Sequence, residues 1–364
     1  MGNVQPLQKL QSPPSPSKSL IDALRDRCSL PDLRAALKKQ NLPCGVAWSD
    51  VQGHADEKST NGQKVRAFLA AYHIDSILAA EKFIKFYDLD AALAKIIEPT
   101  LKNAVVSKSD FSPSYPLPLT GAALSSATSD PTLVEVRELG GGDYALVYCS
   151  VRSYDDRTQY KYDQLPQNVK QTYGDIDQLI TIRKVYFQAY DAVIIRPSLG
   201  RIEVLLDQPK KTGRFQFDAM SIKVFSALAN NIPALVPVYQ SDAVNIFNAV
   251  SGIYYAPKEG VVRSLAFRTL TGSRKHERMI TEADDLRSET FHHAGVEAVG
   301  NKIRPYELEV EWDFTLQPGK ALLSLSAHIR ELNMEAPKLT GCLVTADSQV
   351  AVLQAINKIV AYLT

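Results

Sequence analysis

The stretch from Arg263 to His293 concentrates the side chains of this 364-residue chain that could do chemistry. Its first half supplies Arg263, Arg268, Arg274, Lys275, His276 and Arg278. Its second half supplies Glu282, Asp284, Asp285, Arg287, Glu289, His292 and His293. Guanidinium forks match phosphate and carboxylate oxygens, so the basic half suits an anion. The plain alternative is a solvated loop laced with surface ion pairs, the usual state of a mixed charge run. On a helix, Asp285, Glu289 and His292 would fall at i, i+4 and i+7 on one face, an arrangement open to a metal ion; local pairing competes with it. Glu307, Glu309 and Glu311 alternate along a strand pattern, on its solvent face. A metal-dependent nuclease would need such acids, with Glu203 or Asp207 and a nearby Lys. Neither Asp207-Gln208-Pro209-Lys210 nor Glu309-Val310-Glu311 supplies that combination. His54, His73 and His328 are isolated and read as core-edge or surface histidines.

Motifs with a fixed mechanism are missing from the sequence: no Walker A, no G-x-G-x-x-G after a strand, no G-x-S-x-G, no H-E-x-x-H. The triplet Gly140-Gly141-Gly142 joins two strand-like runs and is a turn, not a phosphate loop. No metal and no cofactor is therefore expected. Cys28, Cys44, Cys149 and Cys342 are scattered without a C-x-x-C pair and read as buried thiols in a reducing compartment. A net charge of +1 gives no global reason to expect nucleic acid, membrane or acidic substrates. No apolar run reaches the ~20 residues of a membrane span, and no signal-peptide core precedes residue 19, so the expected location is the cytoplasm.

The elements that would position these groups fall into two parts. Residues 1–18, with Pro13, Pro14 and Pro16 among serines, read as a flexible leader. Residues 19–106 read as a bundle of short helices. Ser29-Leu30-Pro31-Asp32 resembles a capping box; Leu33, Ala36 and Leu37 carry an apolar face, and Val65, Phe68, Leu69 and Tyr72 recur at helical spacing. Asp75 is a cap for a helix bearing Ile77, Leu78 and Phe83 or Ile84, Asp88 for one bearing Leu93, Ile96 and Ile97, and Pro99 closes the run. No single one of these helices is long enough to stand alone, so they must share a core. Residues 107–131, with Pro113, Pro116, Pro118 and Gly121, read as a Pro/Ser-rich hinge.

Residues 132–364 change texture. Thr132–Glu138 and Tyr144–Val151 form a hairpin pattern, and Arg201–Asp207 and Val261–Leu270 are strand-like. Tyr306–Trp312 pairs with Leu322–Ile329 across Gln317-Pro318-Gly319. Gln178–Arg196 is either one bent strand or a short helix feeding a strand. Helices are expected around Met220–Leu228, Val244–Val250 and Ser348–Leu363. The expected class is α+β: a small N-terminal helical bundle followed by a larger mixed, largely antiparallel sheet domain with packed helices.

Within the bundle, Leu24, Leu33 and Leu37 are followed by Gly62-Gln63-Lys64, by Val65 through Tyr72, and by Ile77-Leu78. This pattern resembles the effector-associated, death-like helical adaptor domains of bacterial conflict systems. The resemblance covers about the first quarter of the chain, the extent of one small domain. The loop Leu42–Trp48 departs from the family pattern, which has acidic residues at its start. Leu30–Val51 also resembles a SAP-type DNA-binding hairpin, but Val46-Ala47-Trp48-Ser49-Asp50 holds no Lys or Arg to meet phosphates. The adaptor resemblance implies homotypic contacts with a protein partner in a defence or signalling system. The C-terminal part would then sense or scaffold, without catalysis. The alternative is a phosphate- or nucleic-acid-acting hydrolase working through Arg263–His293.

Overall fold

Caps decide where the first helices begin. Ser29, in extended backbone, accepts from the Asp32 N–H at 3.2 Å and starts α2 (Leu30–Lys39), which buries Leu33 and Leu37. It follows α1 (Pro16–Arg25) and precedes α3 (Trp48–Asp56) and α4 (Thr60–Leu78). Ser59 caps α4 by accepting from the Gly62 N–H at 3.0 Å. A Cβ on Gly62 would lie 2.2 Å from the Glu57 carbonyl oxygen, so only glycine allows that approach. α4 turns Val65, Leu69, His73 and Ile77 inward. The structure, a computed structural model, describes residues 16–174, 176–208, 217–281, 284–317 and 319–363. Residues 1–15 of the expected leader, Glu282, Pro209-Lys210 and Pro318 lie outside them. Pro16–Lys18, expected in the leader, already belong to α1.

The chain divides into two compact units, residues 1–84 with 245–364, and residues 85–244. The boundary falls inside β1 (Ala80–Asp88). The second unit continues with α5 (Ala91–Lys102), α6 (Gly121–Ser126), β2 (Thr132–Gly140), β3 (Asp143–Lys161) and α7 (Gln167–Tyr173). It ends with β4 (Gln178–Arg196), β5 (Arg201–Asp207), α8 (Phe217–Asn231) and α9 (Val236–Gln240). The first unit resumes with α10 (Phe247–Tyr255), β6 (Val261–Thr269), β7 (Arg274–Arg278), α11 (Thr290–Ala298), β8 (Ile303–Phe314), β9 (Gly319–Ser326), β10 (Cys342–Ala346) and α12 (Gln349–Val360).

In the first unit the strand order is β1-β10-β9-β8-β6-β7, every neighbour antiparallel. Leu308, Val310 and Trp312 of β8 point inward, as strict alternation requires. α12 packs on β9 and β10, and α10 on β8. In the second unit β2, β3, β4 and β5 follow in antiparallel order. The chain is α+β, with N-terminal helices and largely antiparallel strands.

The expected domain plan differs from this division. Residues 19–106 are not a bundle of their own: α1–α4 share a unit with residues 245–364. The expected helix over Phe83 and Ile84 is strand β1. Ala80 takes φ +59°, which stops α4, and Ala80–Ile84 find ladder partners at Cys342–Ala346. Local periodicity has no access to a partner some 260 residues away. Asp75 accordingly lies inside α4, where its carboxylate accepts from the Gln349 N–H at 3.0 Å and caps α12. Asp90, rather than Asp88, caps α5, and Pro99 sits within that helix. The expected hinge 107–131 is also held down. Phe111 is fully buried, the Leu119 N–H donates to Gln188 Oε1 at 2.9 Å, and Tyr190 donates to the Pro116 carbonyl at 2.9 Å. Gln178–Arg196 is one continuous strand.

Candidate functional site

The structure separates the Arg263–His293 side chains into two groups. Arg263 and Arg268 stand on β6, while Arg274, Lys275, His276 and Arg278 form β7, the terminal strand of its order. Arg278 pairs with Glu309 at 3.3 Å and Arg263 with Glu311 at 3.1 Å, so two of the three acids on the expected acidic face of β8 are paired in place. Arg274 donates to the Tyr306 hydroxyl at 2.6 Å, Arg268 to Asn333 Oδ1 at 2.6 Å, and His276 Nε2 lies 3.1 Å from Ser264 Oγ. Lys275 is exposed and without a side-chain partner among the described residues. Five consecutive charged or ionisable residues on a terminal strand have a direct physical use. They keep an open ladder edge from pairing with another chain.

The second group lies under the helices. Glu277, whose neighbours on β7 face the other way, forms a hydrogen bond to His292 Nδ1, and the other ring nitrogen sits 2.9 Å from the Tyr254 hydroxyl. The imidazole therefore has a hydrogen-bond partner at each ring nitrogen. Burial pushes the Tyr254 hydroxyl up to about 12, so it keeps its proton at neutral pH. The chain Glu277–His292–Tyr254 thus runs inward to two buried side chains. Arg287 is fixed too: it donates to the carbonyls of Ala256 at 2.8 Å and Gly260 at 2.7 Å and pairs with Asp285 at 2.6 Å. His293 is exposed, 4.0 Å from Glu297.

The expected alignment of Asp285, Glu289 and His292 on one helix face does not occur. Asp285 caps the short turn Leu286–Ser288, and Glu289 is the N-cap of α11, accepting from the N–H groups of Phe291 and His292. Those backbone donors hold the Glu289 carboxyl below its ordinary value. Two acids chosen as caps cannot also share the face of the helix that one of them begins. Among the described residues no cluster of three His, Cys, Asp or Glu could hold a metal ion.

A charged cluster that local sequence reading passes over lies in the second unit. Arg152 on β3 is bonded to Asp191 on β4 and donates to the Asp207 carbonyl, at the end of β5, at 2.9 Å. Asp191 accepts from the Asp207 N–H at 2.9 Å, and Asp207 accepts from the Tyr190 N–H at 3.0 Å. Asp191 and Asp207 are fully enclosed. A lone acid between Ala189-Tyr190 and Ala192-Val193 was the available signal, since an isolated charge in an apolar strand must find a partner. The cluster clips three strands together where β2 and β5 stop pairing with β3 and β4.

At the other end of these strands Glu203, on β5, pairs with Arg201 at 2.8 Å and lies 3.9 Å from Arg196, which is 3.2 Å from Asp143. Burial raises the carboxyls of Glu203 and Asp143, and the nearby arginines offset only part of it. A Glu with a raised folded-state value binds more protons folded than unfolded. Its contribution is full below its ordinary value of 4.5 and is lost as pH rises through the folded-state value. Glu203→Gln should therefore flatten the fall of stability with pH just above 4.5, measured by urea titration at a series of pH values. An unchanged slope would contradict this assignment.

No protein-family model matches the chain, and no curated protein matches it either.

Proposed function

We propose that the chain is a non-enzymatic interaction protein of the cytoplasm, acting as an adaptor in a bacterial defence or signalling system. One observation carries the choice between binder and enzyme. Two of the groups that looked catalytic are committed to partners within the fold, His292 at both ring nitrogens and Arg287 to two carbonyls and a carboxylate, whereas His276 and His293 stay exposed. A general acid or base must come within hydrogen-bond reach of its substrate, and His292 and Tyr254 are both buried. The resemblance of the N-terminal helices to death-like adaptors supplies the partner class, another protein of such a system. The exposed surface of α2 around Lys38 and Lys39 is the contact we assign to it. Arg66 is not part of that surface, because it donates to the carbonyls of Ala55 and Glu57 and ties α3 to α4. Among the described residues no helix is long and apolar enough to cross a membrane.

The test has two arms. Purified protein should leave RNA, DNA and nucleotides intact with or without divalent metal. Cleavage by the wild type that disappears in His276→Ala would favour the hydrolase reading instead. Co-expressed with the proteins encoded beside it, the chain should co-purify with one of them, and Lys38→Glu/Lys39→Glu should lose that protein while melting normally. Retention by the double variant would remove α2 as the contact.

A further inference from the structure

From Arg152↔Phe187 to Lys161↔Gln178, β3 and β4 pair only with each other, because β2 pairs with β3 no further than Cys149 and β5 with β4 no further than Ala192. These residues form a two-stranded ribbon roughly 30 Å long. Its two faces differ. Opposed residues of an antiparallel pair share a face, which places Tyr154, Asp156, Arg183, Val185 and Phe187 together. That face is partly covered and internally matched: Tyr154 and Phe187 are in ring contact, and Arg183 pairs with Asp156 at 2.9 Å. The other face carries Ser153 with Tyr186, Asp155 with Lys184, Arg157 with Ile182, and Gln159 with Ile180. On it Ile180 is 51%, Ile182 58% and Tyr186 44% exposed. Asp155, Arg157 and Lys184 have no ion-pair partner among the described residues.

We infer that this face is a docking surface for the same face of a second copy of the chain. A two-fold axis crossing the ribbon between the Asp155↔Lys184 and Arg157↔Ile182 pairs lays the two ribbons antiparallel, β3 over β3 and β4 over β4. In that register Asp155 of each copy meets Arg157 of the other, twice. Tyr186 meets Ile180, and the Lys184 stem covers Ile182, each also twice. The face is thus complementary to itself in both charge and apolar content. A nucleic acid fits it less well, because Asp155 stands between the two cations and the exposed isoleucines offer a polyanion nothing. A two-stranded ribbon is marginal in water, and a stacked partner face covers its exposed Ile180, Ile182 and Tyr186. The overlap, about 20 Å long, falls short of the ~800 Å² per partner of a standard interface, so the dimer is reversible.

Sedimentation velocity of the full chain over a concentration series tests this. The wild type should pass from monomer to dimer. Asp155→Arg or Arg157→Asp alone should weaken the dimer at least about tenfold, since each places like charges opposite one another at two symmetric points. The double exchange Asp155→Arg/Arg157→Asp should restore it, and unaltered thermal melts of the two single variants show that they fold. Ile182→Lys, on β4, should abolish it. A wild type that stays monomeric, single reversals that dimerise normally, or a double exchange that fails to recover would each overturn the proposal. So would an Ile182→Lys variant that still dimerises, because the contact would then run along the β3 edge and not across the face.

Discussion

Replacing Arg152 with Ala should destabilise the protein by about 3–5 kcal/mol, the range for removing one partner of a buried ion pair. The guanidinium is the cation beside Asp191, a residue with no exposed surface, and it also satisfies the Asp207 carbonyl. Without it, a carboxylate remains in a site that excludes water, and its second bond to the Asp207 N–H cannot compensate for the lost charge. A double variant, Arg152→Met/Asp191→Asn, should recover much of the loss. Its amide oxygen still accepts from the Asp207 N–H, and the charge at position 191 is gone, so the Asp207 carboxylate, held by the Tyr190 N–H, is the one acid of the cluster that stays buried. Urea unfolding with linear extrapolation gives both values. A cost below about 1 kcal/mol for Arg152→Ala would mean that the pair behaves like an exposed one, and the clip would not exist. Because the cluster sits at the root of the β3–β4 ribbon, the single variant should also make the ribbon strands easier to cleave with protease.

A fragment ending at residue 105 should not fold cooperatively. Taken alone, α1–α4 have sensible caps and apolar faces, and an independent bundle would melt with a sigmoidal loss of helix signal. In the folded chain, however, they belong to the same unit as residues 245–364. Ala80–Ile84 ladder with Cys342–Ala346, Asp75 caps α12, and α4 packs against that helix. Removing the C-terminal half exposes the buried side of α4 and leaves the β1 segment unpaired, which converts core area into solvent-exposed apolar surface. Far-UV circular dichroism of the fragment should show weak helicity and a gradual, non-cooperative melt. Adding residues 245–364 in trans, or through a linker, should restore a transition. A sharp melt of the isolated fragment would show that the helices carry their own core.

What could be read from the chain alone was local. Ser29 with Asp32, the Gly140–Gly142 turn, the alternation of β8 and the closing helix α12 all depend on residues within a few positions of one another, and each stands in the structure. The α+β class followed from summing such signals. Tertiary structure alone decided the rest, for one recurring reason: the deciding partner is remote in sequence. Ala80–Ile84 became strand because β10 offered them a ladder, and the proline-rich 107–131 stretch became ordered because Gln188 and Tyr190 supply hydrogen bonds to it. The same holds for chemistry. Arg263, Arg274, Arg278, Arg287 and His292 looked like a site because composition shows charge without showing partners. Glu311, Tyr306, Glu309, the Ala256 and Gly260 carbonyls and Tyr254 turned them into structural bonds. The ribbon's open face was hidden in the opposite way. Ile180, Ile182 and Tyr186 read as ordinary strand residues, and only the point where β2 and β5 stop pairing left them facing solvent.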